Sequence, residues 1–443
     1  MIFLVVWALL CLALIASRSM TLLVALTVVA GVLQGPILSL THDTQFQLVD
    51  DIPAVSLIIA AVIRGAFARS FRAPRTVLVF IAIVALCAVA VARSPSLSVG
   101  VTQARQVIVP IGLAVAGYVL HEALNWRVIF RLCLVLGAGV AAWMLAEQIL
   151  QAPLMDPVWY YLNAAGGAPI TMRDGLPPSY FADGITGGVV FRPGGPFFNP
   201  PTAGFFLGLV AFTVMRTTSG VARMVGLAIV FLALGAAYAR AGMVIAVCAV
   251  VLYWIWYRMG RMSAVLVGIA TAVYVAQIFV EQGNSASHSD GLINGTLAGL
   301  SSVIGVGFGT SGYAAKLEGA TDSGVGESLL GLYFAWLGIP LILLAIAYCI
   351  ALGRRMISWP RKESLLSWVC FGMVAAIAVS ETGSSLAATS VLWMLLGLAL
   401  RQPLIPRALR HSDVAAEREG SVVVTGPTQT GRRRWIRDER RWS

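Results

Sequence analysis

The sequence predicts an all-α polytopic membrane protein, with about 12–13 transmembrane helices and two large non-cytoplasmic loops. Three observations predict it. The 443 residues are 58% hydrophobic and only 12% charged, where an average soluble domain is about a quarter charged. Apolar runs long enough to cross a hydrocarbon core of roughly 30 Å, about 20 helical residues each, recur from the N-terminus to Leu400. The Lys and Arg residues fall mostly on alternate connections and on the tail, as the positive-inside rule requires. A soluble enzyme is excluded. Strands of a barrel are excluded too, because the runs show no apolar/polar alternation and a lone strand has no backbone partners in lipid.

In order, residues 1–150 hold six expected spans, near 2–16, 21–40, 54–69, 76–92, 106–121 and 128–150. The first lacks the basic start and small-residue cleavage site of a signal peptide, so it reads as a span. Residues 151–199 form a first long loop, and four spans follow near 200–215, 221–238, 242–257 and 262–280. A second long loop covers 281–326. Three spans near 327–351, 364–380 and 384–400 precede a basic tail, 401–443, whose Arg432–Arg434, Trp435 and Trp442 suit anionic lipid headgroups or plain solvation.

Twenty-five of the 31 basic residues lie on one side, in connections such as Arg64–Arg75 and in the tail; this side is expected to be cytoplasmic. Arg93, Arg105, Arg173, Arg192, Arg240 and Lys316 lie on the other. The net charge of +11 follows from this bias, so no nucleic-acid partner is needed to explain it. The six cysteines sit in or beside apolar runs without metal-type spacing, and the four histidines are scattered.

Long loops in a compact chain are commonly functional. The first holds Trp159, Tyr160, Tyr161, Tyr180 and Phe181, suited to stacking on sugar rings or to an interfacial aromatic belt. Arg192 stands in Phe191-Arg192-Pro193-Gly194-Gly195 before Asn199-Pro200. Arg240 is the only charge between Arg223 and Arg258. Arg240 either caps a helix end or binds an anionic headgroup, for which a guanidinium fork matches phosphate oxygens; interfacial charges are costly and favour the second reading. In the second loop, Ser287-His288-Ser289-Asp290 and Glu327 supply acid–base candidates. The run Gly305-Val306-Gly307-Phe308-Gly309 has no strand before it and is not a nucleotide loop.

Taken in order, Arg192-Pro193-Gly194-Gly195 with Asn199-Pro200, Arg240 in a short outer turn, His288 to Leu292 before the glycine run, and Glu327-Ser328-Leu329-Leu330 leading to Leu337-Gly338-Ile339 resemble the Wzy-type O-antigen polymerase and O-antigen ligase superfamily. The resemblance covers about the C-terminal 60% of the chain. It implies a GT-C-like helical fold in the bacterial inner membrane and an inverting glycosyltransferase active site facing the periplasm. The implied donor is an undecaprenyl-pyrophosphate-linked glycan, with no nucleotide sugar or metal cofactor. Arg192 and Arg240 would bind the pyrophosphate, and Glu327 or His288 would serve the acceptor hydroxyl. Arg173, Tyr180 and Asp290 would contact glycan, Arg173 with Gly184 matching the Arg-to-Gly spacing described for some polymerases. A flippase and a chain-length regulator are the implied protein partners. Ligases of the superfamily carry a histidine where this chain has Glu327, which favours a polymerase over transfer to a lipid A core. A transporter ranks lower, because charges cluster at span ends rather than at midplane.

Overall fold

The computed structural model describes residues 2–68, 72–163, 172–183, 188–260, 262–263, 266–267, 286–312, 328–358 and 364–401. The expected span at 262–280, Glu327, Lys316 and the tail beyond Arg401 lie wholly or largely outside these residues. The described chain is mostly helical. Its helices are α1 (Ile2–Ala16), α2 (Met20–Thr41), α3 (Asp51–Ala66), α4 (Arg72–Ala92), α5 (Leu97–Val119), α6 (Trp126–Leu150), the short α7 (Val158–Asn163), α8 (Pro200–Thr217) and α9 (Gly220–Ala236). Next come α10 (Arg240–Val247), which passes through a π turn into α11 (Tyr253–Met259), then α12 (Ala286–Ser301), α13 (Leu329–Leu337), α14 (Ile339–Ser358), α15 (Ser364–Ala378) and α16 (Leu386–Leu400). Among the described residues, seven helical stretches are long and apolar enough to cross a membrane, and four shorter apolar helices accompany them. The protein is therefore a multi-pass helical membrane protein. Among the described residues of the first long loop, β1 (Phe181–Asp183) pairs antiparallel with β2 (Val189–Phe191).

The bundle is organised around α16, nearly every residue of which is buried. Glycines let backbones meet there. A Cβ on Gly397 would stand 1.7 Å from the Ala114 carbonyl oxygen of α5, and one on Gly31 of α2 would stand 2.5 Å from that of Ala387. Without a hydrophobic force between helices in lipid, such close van der Waals packing supplies the association energy. The rim is the converse: Leu343, Ile346 and Ile350 of α14 and Leu78, Val79 and Ile81 of α4 are exposed apolar side chains, a surface suited to acyl chains.

Two expectations are corrected. The expected span at 106–121 begins at Leu97, capped by Ser96, whose hydroxyl accepts from the Val99 amide. This brings Gln103 and Arg105 onto α5. The expected continuous span at 327–351 is two helices. Gly338, at φ +67°, ends α13, and α14 continues alone to Ser358. The break is sealed by the glycine run, since the Val306 and Gly307 amides donate to the Ala335 and Trp336 carbonyls, and the Ile339 amide donates to Val303. Both ends of α13 are fixed. The Leu329 amide donates to Ser380 beyond the end of α15, while Gly305, lying against Trp336, accepts from Arg93 at the end of α4.

Candidate functional site

The loop before α8 is held by its own backbone and by a buried acid. The Arg192 amide donates to the Tyr180 carbonyl at 2.8 Å, and Asn199 caps α8 by accepting from the Thr202 amide. Tyr161 Oη donates to the Phe198 carbonyl at 2.9 Å. Glu147, completely buried near the end of α6, accepts from the amides of Gly195 (2.9 Å) and Leu154 (3.1 Å) and from Trp143 Nε1 (2.9 Å). Gly195 sits at φ +57° with Met144 against it, so a side chain there would meet both strain and a clash.

From this fixed loop Arg192 reaches the end of α9. Its Nε donates to the Ala237 carbonyl at 2.8 Å and its Nη2 to Tyr238 at 3.4 Å. Arg192, then, is the helix-end cap. Arg240 opens α10 after a tight turn in which Tyr238 takes φ +48°, and it is exposed. The sequence-predicted pair is thus brought together. Burial, and next the Arg240 charge beside it, pull Arg192 down to about 10, a value that leaves it cationic at neutral pH. Two guanidinium groups beside the start of α10 make a positive patch at the end of the bundle opposite the arginine-rich one.

The start of α13 approaches the same patch around α8. Gly204 of α8 packs on Ala239, next to Arg240, and the following Phe205 meets Gly383 together with Leu329. The residue two before Leu329 is Glu327, which lies outside the described residues. Ser328 is buried and caps α13 by accepting from Gly331. Sequence reading missed Glu381, a half-buried carboxylate in this same turn between α15 and α16. Its signal was a charge in the polar stretch Ser380-Glu381-Thr382-Gly383 between two spans.

The other predicted residues are placed as follows. His288 lies in the first turn of α12, its side chain outside the description, and Asp290 is exposed one residue before Gly291, where α12 meets α13. Arg173 and Leu176 bridge a turn through Asp174-Gly175, and the Arg173 guanidinium lies 5.4 Å from the centre of the Phe181 ring. Tyr180 is completely buried with Tyr161, Phe191 and Phe198, so protein covers the ring expected to meet glycan. Its hydroxyl has no hydrogen-bond partner among the described residues, and burial raises its phenol well above the usual value. Beside Tyr160 lies a second polar group that sequence reading also missed. Gln34 donates to Asp50 at 2.7 Å and Arg105 to Asp51 at 2.6 Å, with both carboxylates buried. Burial, and next the Asp50 charge, raise the Tyr160 phenol.

Neither a family model, nor a curated protein, nor a solved structure matches the chain.

Proposed function

We propose that the protein is an inverting glycosyltransferase that polymerises undecaprenyl-pyrophosphate-linked oligosaccharide repeat units at the periplasmic face of the bacterial inner membrane. The observation that carries the reading is the meeting of Arg192 and Arg240, 48 residues apart in sequence, on the side of the bundle that the positive-inside rule disfavours for cations. Two guanidinium groups held side by side suit an anion that contacts both. Pyrophosphate at a lipid–water boundary is an anion of fitting charge and shape.

In the proposed reaction an acceptor hydroxyl oxygen attacks the anomeric carbon of the donor glycan. The bond from that carbon to the pyrophosphate oxygen breaks, with inversion, and the lipid pyrophosphate leaves with the electron pair. Arg192 and Arg240 neutralise the charge growing on it. A carboxylate takes the hydroxyl proton; Glu327 is the proposed base, and His288 positions the acceptor. A transporter reading would use the helix break at Gly338 as an ion site. The glycine run already occupies the Ala335 and Trp336 carbonyls there, so the break offers those oxygens to no cargo.

The test is turnover of the purified protein on lipid-linked repeat units. Arg240→Lys keeps the charge but loses the bidentate fork, so it is expected to lose most of the activity while folded protein accumulates normally. Full polymer formation by Arg240→Ala would overturn the proposal.

A further inference from the structure

At the arginine-rich end, opposite the proposed site, a cavity of about 480 Å³ opens between α1, α2, α3 and the end of α5. Its walls are apolar, from Ile15, Met20, Ile63 and Leu120, and its mouth carries Arg18 and Arg64. Neither arginine pairs with an acid among the described residues. The adjacent carboxylate, Glu122, is taken by Arg401 at 2.7 Å. Arg18 is exposed. It adopts φ +58°, unusual for a residue with a side chain, in a turn closed by Ser17 Oγ to Ser19 Oγ at 3.1 Å and by the Ser19 amide to Leu14. Arg64 is exposed as well, so two cations border one apolar slot, an arrangement that suits a lipid with an anionic headgroup.

We propose that this groove binds an anionic phospholipid of the cytoplasmic leaflet, with the phosphate between Arg18 and Arg64 and an acyl chain along Ile15, Met20 and Ile63. Charge complementarity selects the headgroup, and the apolar walls select a lipid over a soluble anion. The two guanidinium charges outweigh the half-charges at the C-terminal ends of α1 and α3, which alone would repel an anion. Nearby, burial and next the Arg401 charge depress His121 to about 4, with Glu122 opposing and Arg64 adding to the shift, so the imidazole beside Leu120 is neutral at neutral pH. The lipid would tie α1, with its exposed Val5, Val6, Leu9 and Leu12, to the rest of the bundle.

The test is native mass spectrometry of the full, delipidated chain titrated with dioleoyl phosphatidylglycerol, with phosphatidylcholine and inorganic phosphate as separate arms. Phosphatidylglycerol should bind about tenfold or more tightly than phosphatidylcholine, each arginine being worth about a fivefold change. Arg18→Gln with Arg64→Gln should remove that preference. Arg64→Lys should keep most of it, because a lipid phosphate here needs a charge more than a fork. Arg258→Gln, an exposed cation of the same end remote from the groove, should change it little. Equal binding of phosphatidylcholine would mean an apolar slot only, and an equal loss in Arg258→Gln would mean diffuse surface charge. Competition by inorganic phosphate at matching concentration would mean a soluble-anion site. Any of the three overturns the proposal.

Discussion

Single side chains divide between those that react in the proposed mechanism and those that hold them. Glu147 belongs to the second kind. Truncating it to alanine leaves the buried Gly195 amide without its acceptor, at about 1–3 kcal/mol, and also removes the acceptor of the part-buried Leu154 amide. Glu147→Ala should therefore lower the thermal midpoint and release the Arg192 loop to protease, whereas an unchanged midpoint would show the clip to be dispensable. The base is a separate matter. Removing a true one costs about a hundredfold to ten-thousandfold in rate, so Glu327→Gln should lose most turnover and still bind donor. If Glu327→Gln turns over normally and Glu381→Gln is dead, the proton goes to Glu381, whose turn meets the start of α13. His121 gives a pH signature. Its folded value of about 4 lies below the ordinary 6.5, so the unfolded chain binds the extra proton and stability falls as pH drops from about 6.5 towards 4. In His121→Asn that part of the acid loss should vanish from pH-dependent melting curves. Arg192 and Arg240 were legible because a charge on the disfavoured side is conspicuous. Glu147 was not, because one acid near the end of an apolar run gives no hint that three donors converge on it.

At the scale of elements, hydropathy located most spans within a few residues but was silent on which helices touch. The uniform apolarity of α16 gives it no distinguishable face, and its place at the centre rests on Gly397, Gly117 and Gly31, whose spacing hydropathy ignores. The second long loop shows a related blindness. Within 281–326 lies α12, whose Gly291, Gly295 and Gly299 recur every fourth residue and pack on α13, while Ile293, Leu297 and Leu300 face outward. The polar start of the segment hid a small-residue helix interface. A Cβ on Gly295 would stand 2.3 Å from the Gly331 carbonyl oxygen. Gly295→Leu should accordingly part α12 from α13, costing about 1–3 kcal/mol by overpacking, and a cysteine pair across the two helices should cross-link in the parent but not in that variant. Retained cross-linking would show that the contact tolerates bulk. The break at Gly338 was also missed, since Leu337-Gly338-Ile339 keeps the apolar run unbroken and only the positive φ of the glycine ends the helix.

For the whole molecule, the distribution of charge predicts that the 151–199 loop and the tail lie on opposite sides of the membrane. Reporter fusions after Gly175 and Asp413 should give opposite signals, and a shared compartment would contradict the topology. If that topology holds, the Arg192–Arg240 patch and the Arg18–Arg64 groove face opposite leaflets. The fold class followed from composition because lipid leaves the backbone so few choices. The proposed chemistry rests only on the order and sidedness of weak motifs, and it stands or falls with the anion between the two arginines. The most direct measurement is the affinity of the purified protein for undecaprenyl pyrophosphate against undecaprenol. The wild type should prefer the pyrophosphate by about a hundredfold, two charge-assisted contacts at about 1.5 kcal/mol each, and Arg192→Gln with Arg240→Gln should abolish the preference. Equal affinity for the alcohol, or a preference that survives the double substitution, would contradict the account.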